Sequence, residues 1–202
     1  STPLERIAEL EAHLASLGSV VVAYSGGVDS TFLAAVAARA LGARALAVTL
    51  STEVEPTGET ARAAELAGEI GIRHRQLEAR WLDIEGVHNN PPDRCYRCKS
   101  HLFGHLLKVA EDENAATVVE GSNRDDDQDY RPGMRAVAEL GIQSPLRDLG
   151  FTKDEIRAGS ALLGLPTATM PSMACLGSRF PYGASITDEA LSHELLNVYF
   201  GG

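Results

Sequence analysis

The chain has few basic residues for its length. Its 202 residues include 18 Lys and Arg against 28 Asp and Glu, which gives a formal net charge of −10. Unspecific nucleic-acid binding needs a basic surface that displaces counterions, so we expect no nucleic-acid partner, although a local basic pocket stays open. Runs of eighteen or more apolar residues and a basic-then-apolar amino terminus are both lacking. We therefore expect a cytoplasmic protein without a membrane partner.

Cysteines are also scarce. Three are present, an odd number and too few for a disulfide framework. Cys95 and Cys98 form a C-x-x-C pair at the predicted start of a helix, and Cys175 lies far downstream. In a reducing compartment this grouping indicates metal or sulfur chemistry rather than structural bridges. The neighbouring Arg94 and Arg97 predict lowered thiol pKa values and hence thiolates.

Apolar runs alternate with helical patterns along most of the chain. This alternation predicts an α/β fold in which helices cover both faces of a parallel sheet of about five strands. The first helix is predicted to bury Leu4, Ile7, Leu10, Leu14 and Leu17. Strands are predicted at 20–24, 45–50, 74–77 and 116–120, and helices at 3–17, 29–41, 58–70, 95–109 and 152–163.

The segment Ser25-Gly26-Gly27-Val28-Asp29-Ser30 lies between a buried strand and a helix. The two glycines let backbone amides approach an anion, the helix start adds its dipole, and the two serines can donate to phosphate oxygens. Asp29 would be repelled by phosphate unless Mg²⁺ lay between them. The loop lacks the lysine of the usual nucleotide loop. A Gly- and Ser-rich turn kept for steric reasons alone is the competing interpretation.

This segment resembles the PP-loop of the ATP pyrophosphatases, whose Rossmann-like fold is that of the adenine nucleotide α-hydrolases. The resemblance implies that ATP is cleaved between its α- and β-phosphates while a substrate oxygen attacks the α-phosphorus. The lysine motif G-x-x-x-x-G-K-S/T of enzymes that transfer the γ-phosphate does not occur in the chain. The resemblance further implies a nucleotide site that includes Ala23, Thr49, Gly121, Asn123 and Arg131.

Three longer stretches are more specific: NPPDRCYRCKSHLF (89–103), GSNRDDDQDYRPG (121–133) and CLGSRFPYG (175–183). They resemble the LarE family of ATP-dependent sulfur transferases. The resemblance implies adenylation of a carboxylate of pyridinium-3,5-dicarboxylic acid mononucleotide and its conversion to a thiocarboxylate, in the synthesis of the nickel-pincer nucleotide cofactor of lactate racemase. It also implies ATP and Mg²⁺ as cofactors, with Asp29 as the magnesium ligand and a catalytic residue.

The source of the sulfur stays open between alternatives. One branch of the family binds a [4Fe-4S] cluster through three cysteines, which implies catalytic and cluster-binding roles for Cys95, Cys98 and Cys175. In another branch the cysteine at the position of Cys175 gives up its own sulfur. Zinc held by the three cysteines, with His101 or water as the fourth ligand, is a third possibility.

The resemblance also bears on organisation and partners. We expect residues 1–183 to form the PP-loop domain. Residues 184–202 are expected to be either the start or a remnant of a carboxyl-terminal domain for substrate binding and oligomerisation. The expected partners are a sulfide donor and further copies of the chain. Arg179 is a candidate phosphate or carboxylate ligand, and Trp81 is predicted to pack rather than stack on substrate. Rival functions are a tRNA thiolase with a PP-loop and three cluster cysteines, and a non-catalytic nucleotide-sensing module.

Overall fold

The computed structural model describes residues 1–128, 132–172 and 175–200. The helices are α1 (Pro3–Leu17), α2 (Val28–Leu41), α3 (Glu59–Ile70), α4 (Arg94–Asp112), α5 (Pro132–Glu139), α6 (Pro145–Asp148), α7 (Lys153–Leu162) and α8 (Asp188–Phe200). The strands are β1 (Val20–Ala23), β2 (Ala45–Ser51), β3 (Arg73–Glu78) and β4 (Thr117–Val119).

The strands form one parallel sheet in the order β3-β2-β1-β4. The predicted α/β class is confirmed, but the described residues form four strands rather than about five. The fifth position is reduced to an isolated parallel bridge between Val119 and Gln143. Only one residue, Ser144, separates Gln143 from α6, which begins at Pro145. Because proline at the start of a helix fixes a helical φ, the extended segment ends after this single bridge.

Helices cover both faces of the sheet, as the alternating buried side chains require. Val20 and Val22 point into a core shared with α1, α2, α3 and α7, and this core includes Phe32, Leu33 and Phe151. Val21 points into a second core on the opposite face, which α4 and α5 complete. The central strand is therefore apolar at every position because both of its faces are buried.

Helix α1 begins with the predicted capping box, in which Thr2 and Glu5 bond each other's backbone amides. Its buried face consists of Ile7, Leu10 and Leu14. The prediction that Leu4 belongs to the core is wrong, since this side chain is 65% exposed. Leu4 lies in the first turn, ahead of the turn where the buried face begins at Ile7.

A third apolar cluster lies beside the sheet and positions the cysteine segments. Trp81, completely enclosed, packs with Val54, Leu176, Ile186 and Leu191, which join the end of β2 to the start of α8. The tryptophan therefore packs, as predicted. No described helix combines the length and the apolar character needed to cross a membrane.

Candidate active site

A cavity of about 570 Å³ lies at the carboxyl ends of the strands, where ligands bind in open parallel sheets. It brings together residues from three strand ends that are distant in sequence. Six of the predicted nucleotide-site residues line it together with Asp29: Ala23, Ser25, Gly27, Ser30, Thr49 and Gly121. Asn123 lies against the cavity through Asp29, while Arg131 falls outside the described residues.

The loop between β1 and α2 is built to expose backbone amides. Gly26 has a φ of 80°, and a Cβ there would lie 3.0 Å from the Cβ of Ala63, so a side chain is excluded on both grounds. The Ser25 and Ser30 hydroxyl oxygens lie 3.1 Å apart. Gly27 is the N-cap residue of α2 and provides no side-chain cap, and the first residues of the helix, Val28 to Ser30, line the cavity. This is the geometry of an anion site.

Lys153, the first residue of α7, supplies the cation that the loop itself lacks. Its Nζ lies 2.8 Å from both carboxylate oxygens of Asp29, although the two residues are 124 positions apart. Asn123 Nδ2 donates to the same carboxylate at 3.3 Å. Sequence reasoning missed Lys153. The T-K-D-E capping box was the sequence signal for this position, because the motif places the lysine at the first position of a helix.

The end of β4 approaches the loop closely. At Gly121 a Cβ would lie 3.1 Å from the backbone nitrogen of Ser30 and 3.3 Å from Asp29, so the absence of a side chain permits the approach. Beneath it, the buried Glu120 carboxylate accepts hydrogen bonds from the amide and hydroxyl of Ser122 and from the hydroxyl of Ser144. Glu120 also lines the cavity, so these three hydrogen bonds fix part of its wall.

The side chain of Thr49 is held by hydrogen bonds within the fold. Its hydroxyl donates to the carbonyl oxygen of Tyr24 at 2.8 Å and lies 2.8 Å from His74 Nε2. A hydroxyl has one proton to donate, so His74 Nε2 must donate to it. Burial lowers the pKa of His74, which keeps the ring neutral in this role. Sequence reasoning gave His74 no role, and nothing local identified it.

Two aspartates after β4 accept hydrogen bonds from backbone amides, one in the same loop and one at the start of α7. Asp126 accepts from the amide of Asn123 at 2.9 Å, and Asp125 accepts from the amide of Lys153 at 2.8 Å. The second contact fixes the start of α7 against this loop. Of the two, Asp126 also lines the cavity.

Cys98 and Cys175 pack in the cluster around Trp81, and Arg94 joins the two chain segments that carry the three thiols. Its Nη1 donates to the carbonyl oxygen of Gly177 at 2.6 Å, and its Nη2 lies 3.7 Å from Cys95 Sγ. A Cβ at Gly177 would lie 3.7 Å from Cys175 Sγ and 3.5 Å from the indole of Trp81. The beginning of α4 therefore lies directly against the loop of Cys175.

The predicted lowering of the thiol pKa values is wrong for the two inner cysteines. Burial, and after it the neighbouring Cys175, raise the pKa of Cys98 to about 12. Burial likewise raises the pKa of Cys175. The basic side chains do not reverse this, because Arg94 is bound to Gly177 and Arg97 points to Asp93 at 3.0 Å. Cys95 is exposed.

The thiols do not form a compact site for one ion. Within the described residues, no three His, Cys, Asp or Glu side chains converge closely enough to hold a single metal ion. His101 does not complete a Cys3His zinc site. It lies on the exposed side of α4 in contact with His105, whereas Cys98 packs against the Trp81 cluster. Arg179, the candidate phosphate or carboxylate ligand, is exposed.

Glu55 lies between the nucleotide cavity and the thiols. It lines the cavity and also a second one of about 490 Å³ beside α8. Burial raises its pKa, with Glu59 adding to the effect, and its charge acts in turn on Cys98 and Cys175. Its neighbour Val54 accepts from the amide of Leu176 at 2.8 Å. The segment after β2 thus connects the two halves of the site.

Comparison with known proteins first defines the class. The asparagine synthase family model matches residues 8–90, the part that contains the loop at Ser25–Ser30. The NH3-dependent NAD synthetase from Campylobacter jejuni, solved in complex with the nitrate ion, superposes with a TM-score of 0.64 at 15% identity, covering 86% of this chain and 80% of that one. Fold and loop together define a PP-loop, ATP-using protein.

Two relatives then define the family. The pyridinium-3,5-bisthiocarboxylic acid mononucleotide synthase of Lactiplantibacillus plantarum is 34% identical over 92% of this chain and 67% of its own. An uncharacterised protein of Synechocystis sp. is 41% identical over 92% of this chain and 69% of its own. The chain belongs to the LarE family of PP-loop enzymes, the ATP-dependent sulfurtransferases.

Proposed function

We propose that this enzyme adenylates a carboxylate of pyridinium-3,5-dicarboxylic acid mononucleotide and converts it to a thiocarboxylate, a step in the synthesis of the nickel-pincer nucleotide cofactor of lactate racemase. The name of the Lactiplantibacillus relative supports this substrate. The observation that carries the proposal is structural. A PP-loop cavity adjoins three gathered thiols through Glu55 and α4, whose Lys99 lines the cavity one residue after Cys98.

In the first half-reaction the loop activates the carboxylate. The amides at the start of α2, the hydroxyls of Ser25 and Ser30, and the ammonium of Lys153 bind the β- and γ-phosphates. Asp29 would hold Mg²⁺, which neutralises phosphate charge, and Lys153 is then free to turn from Asp29 to a phosphate oxygen. A substrate carboxylate oxygen attacks the α-phosphorus, and the pyrophosphate leaves with the bonding electron pair.

The remaining nucleotide contacts come from the strand ends. Ala23 and Thr49 line the cavity and would contact the adenine there. Gly121 and Asn123 adjoin the loop and would contact ribose or phosphate. Arg131 is proposed as a further phosphate ligand.

In the second half-reaction sulfur replaces AMP. Cys95, Cys98 and Cys175 would hold a [4Fe-4S] cluster. Two observations support this: Cys98 and Cys175 pack in the same apolar cluster, and the charge of Cys95 acts on both of them. Bound there, the cluster would supply an open iron for a transferable sulfide. The raised pKa of Cys98 and Cys175 means that these thiols release protons when metal binds.

Further parts of the proposal concern organisation. Residues 184–202 would begin a domain that binds the phosphate of the mononucleotide and assembles copies of the chain. The relatives are longer than the matched region, which supports such a domain. The enzyme would act in the cytoplasm with a soluble sulfide donor.

The test uses anaerobically reconstituted enzyme with ATP, magnesium and the dicarboxylic acid mononucleotide. We expect substrate-dependent release of AMP and pyrophosphate, and a product in which sulfur replaces oxygen by mass spectrometry. In Cys98→Ser we expect pyrophosphate release without the thiocarboxylate, and no bound iron. Absence of substrate-dependent pyrophosphate release, or thiolation of tRNA instead, would refute the function. Conversion of Cys175 to dehydroalanine on turnover would refute the cluster as sulfur source.

A further inference from the structure

Two histidines face each other on the exposed side of α4. His101 and His105 are one helical turn apart, and both are exposed. Their ring centroids lie 4.9 Å apart with the planes at 78°. Their Nε2 atoms are 3.3 Å apart. Neither ring contributes to the nucleotide cavity or to the thiol cluster, so the function proposed above leaves this pair unexplained.

The distance between the two Nε2 atoms matches the distance between two ligand atoms on one tetrahedral metal ion. Zinc–imidazole bonds are about 2.0–2.1 Å long, so two nitrogens on one tetrahedral zinc lie roughly 3.3–3.4 Å apart. The distance between the two nitrogens is therefore the distance that one tetrahedral ion requires. Imidazole is the preferred ligand of the borderline ions Zn²⁺, Ni²⁺ and Cu²⁺, whereas Mg²⁺ and Ca²⁺ prefer oxygen.

The surroundings favour the neutral ring that binds metal. Burial lowers the pKa of His105, and His101 and then Lys108 lower it further. Lys108 is the neighbouring cation and would oppose a bound metal by charge. It is exposed, however, so water and salt screen its charge.

We propose that His101 and His105 form a surface site that supplies two ligands to a borderline divalent transition-metal ion. Within the described residues no third His, Cys, Asp or Glu joins the pair, so water or a ligand from a second molecule completes the coordination. The site is separate from the cysteines, since Cys98 packs into the Trp81 cluster while the two rings face solvent.

The experiment titrates Ni²⁺ into the protein and records histidine-ring and backbone-amide NMR signals, because paramagnetic broadening reports where the ion binds. We expect broadening of the His101 and His105 rings at low ion concentration. In His105→Gln we expect this binding to weaken by about a hundredfold, because a chelate of two linked ligands is lost. Zn²⁺ should compete with Ni²⁺ for the same signals.

The matched control is His88→Gln, which removes an exposed histidine outside the pair and should leave the titration unchanged. Circular dichroism of each variant checks that the fold is retained. Equal Ni²⁺ affinity of His105→Gln and the unaltered protein would overturn the proposal. Broadening confined to the signals of the cysteine segments would overturn it equally.

Discussion

At the scale of single residues, Lys153 determines the charge of the phosphate loop. Its ammonium lies 2.8 Å from both oxygens of Asp29, and both side chains are about one-quarter exposed. A pair this accessible contributes little to stability because solvent screens it. Its position at the mouth of an anion site indicates a role in phosphate binding instead.

Replacing Lys153 should therefore lower activity without a comparable loss of stability. For Lys153→Met we expect kcat/KM for pyrophosphate release to fall by about a hundredfold, the usual effect of losing one charged donor to a developing anion. The free energy of unfolding should change by less than about 1 kcal/mol. Coupled pyrophosphate assays and urea denaturation measure the two quantities. Lys108→Met, on the exposed face of α4, is the control; a Lys153→Met enzyme as active as this control would contradict the assignment.

Gly121 shows how a missing side chain can shape the site. A Cβ there would lie 3.1 Å from the Ser30 nitrogen, whereas a Cβ at Gly104 meets nothing within 4 Å. For Gly121→Ala we expect ATP to bind about ten- to a hundredfold more weakly, because the loop must shift. Gly104→Ala should bind ATP normally and gain about 0.5–1 kcal/mol of stability, since alanine is the better helix former. Calorimetric titration compares the two, and equal ATP affinities would disprove the steric argument.

At the scale of secondary structure elements, two helices begin with the same capping box. Thr2 and Glu5 cap α1, and Thr152 and Glu155 cap α7. Only α7 carries a residue of the phosphate site at its first position. The two caps therefore provide a pair in which the capping hydrogen bonds are the same and proximity to the site differs.

Removing each cap should cost similar stability but unequal activity. For Thr152→Ala and Thr2→Ala we expect losses of about 1 kcal/mol each. Only Thr152→Ala should also lower kcat/KM, because fraying at the start of α7 displaces Lys153. Thermal denaturation and pyrophosphate release under conditions where both variants are folded provide the comparison. An equal effect of the two substitutions on activity would count against coupling between this cap and the site.

The same scale shows how far sequence reasoning reaches. Helices and strands with strong periodicity, such as α1, β1 and α2, were predicted with nearly their observed bounds because local burial dictates them. Helix α5 was missed since it follows a polar segment that reads as a loop. The fifth strand was overestimated because Pro145 limits it to one bridge. The first case depends on long-range packing, because Val137 of α5 completes a core with α4, whereas the second depends on a local proline.

At the scale of the whole molecule, the site exists only because the sheet order brings distant segments together. The loop at Ser25–Ser30 and the cysteine motifs could be found from sequence because each carries its chemistry locally. His74 could not, since its partner Thr49 lies far away along the chain. For Lys153 the capping box indicates the start of a helix but not the distant partner Asp29. The thiol pKa values were misjudged for the same reason: their cause is burial beside Trp81, which no neighbouring residue reveals.

The connection between the two halves of the site should appear in the pH dependence of stability. Burial raises the pKa of Glu55 above its ordinary 4.5. Its contribution to stability is therefore fully present below that value and is lost as the pH rises through the raised pKa. Because glutamine is neutral throughout, Glu55→Gln should become more stable than the unaltered protein as the pH rises from about 5 to about 8.

Glu53, two residues earlier, provides a control of opposite sign. Burial alone would raise its pKa, but the amides of Leu82 and Trp81 hold the pKa below 4.5. Its contribution is present above that value and is lost as the pH falls, so Glu53→Gln should be destabilised at neutral pH. Melting temperatures of both variants across this range measure the difference. Parallel curves for Glu55→Gln and the unaltered protein would show that Glu55 is not held in a desolvated position between the nucleotide cavity and the thiols.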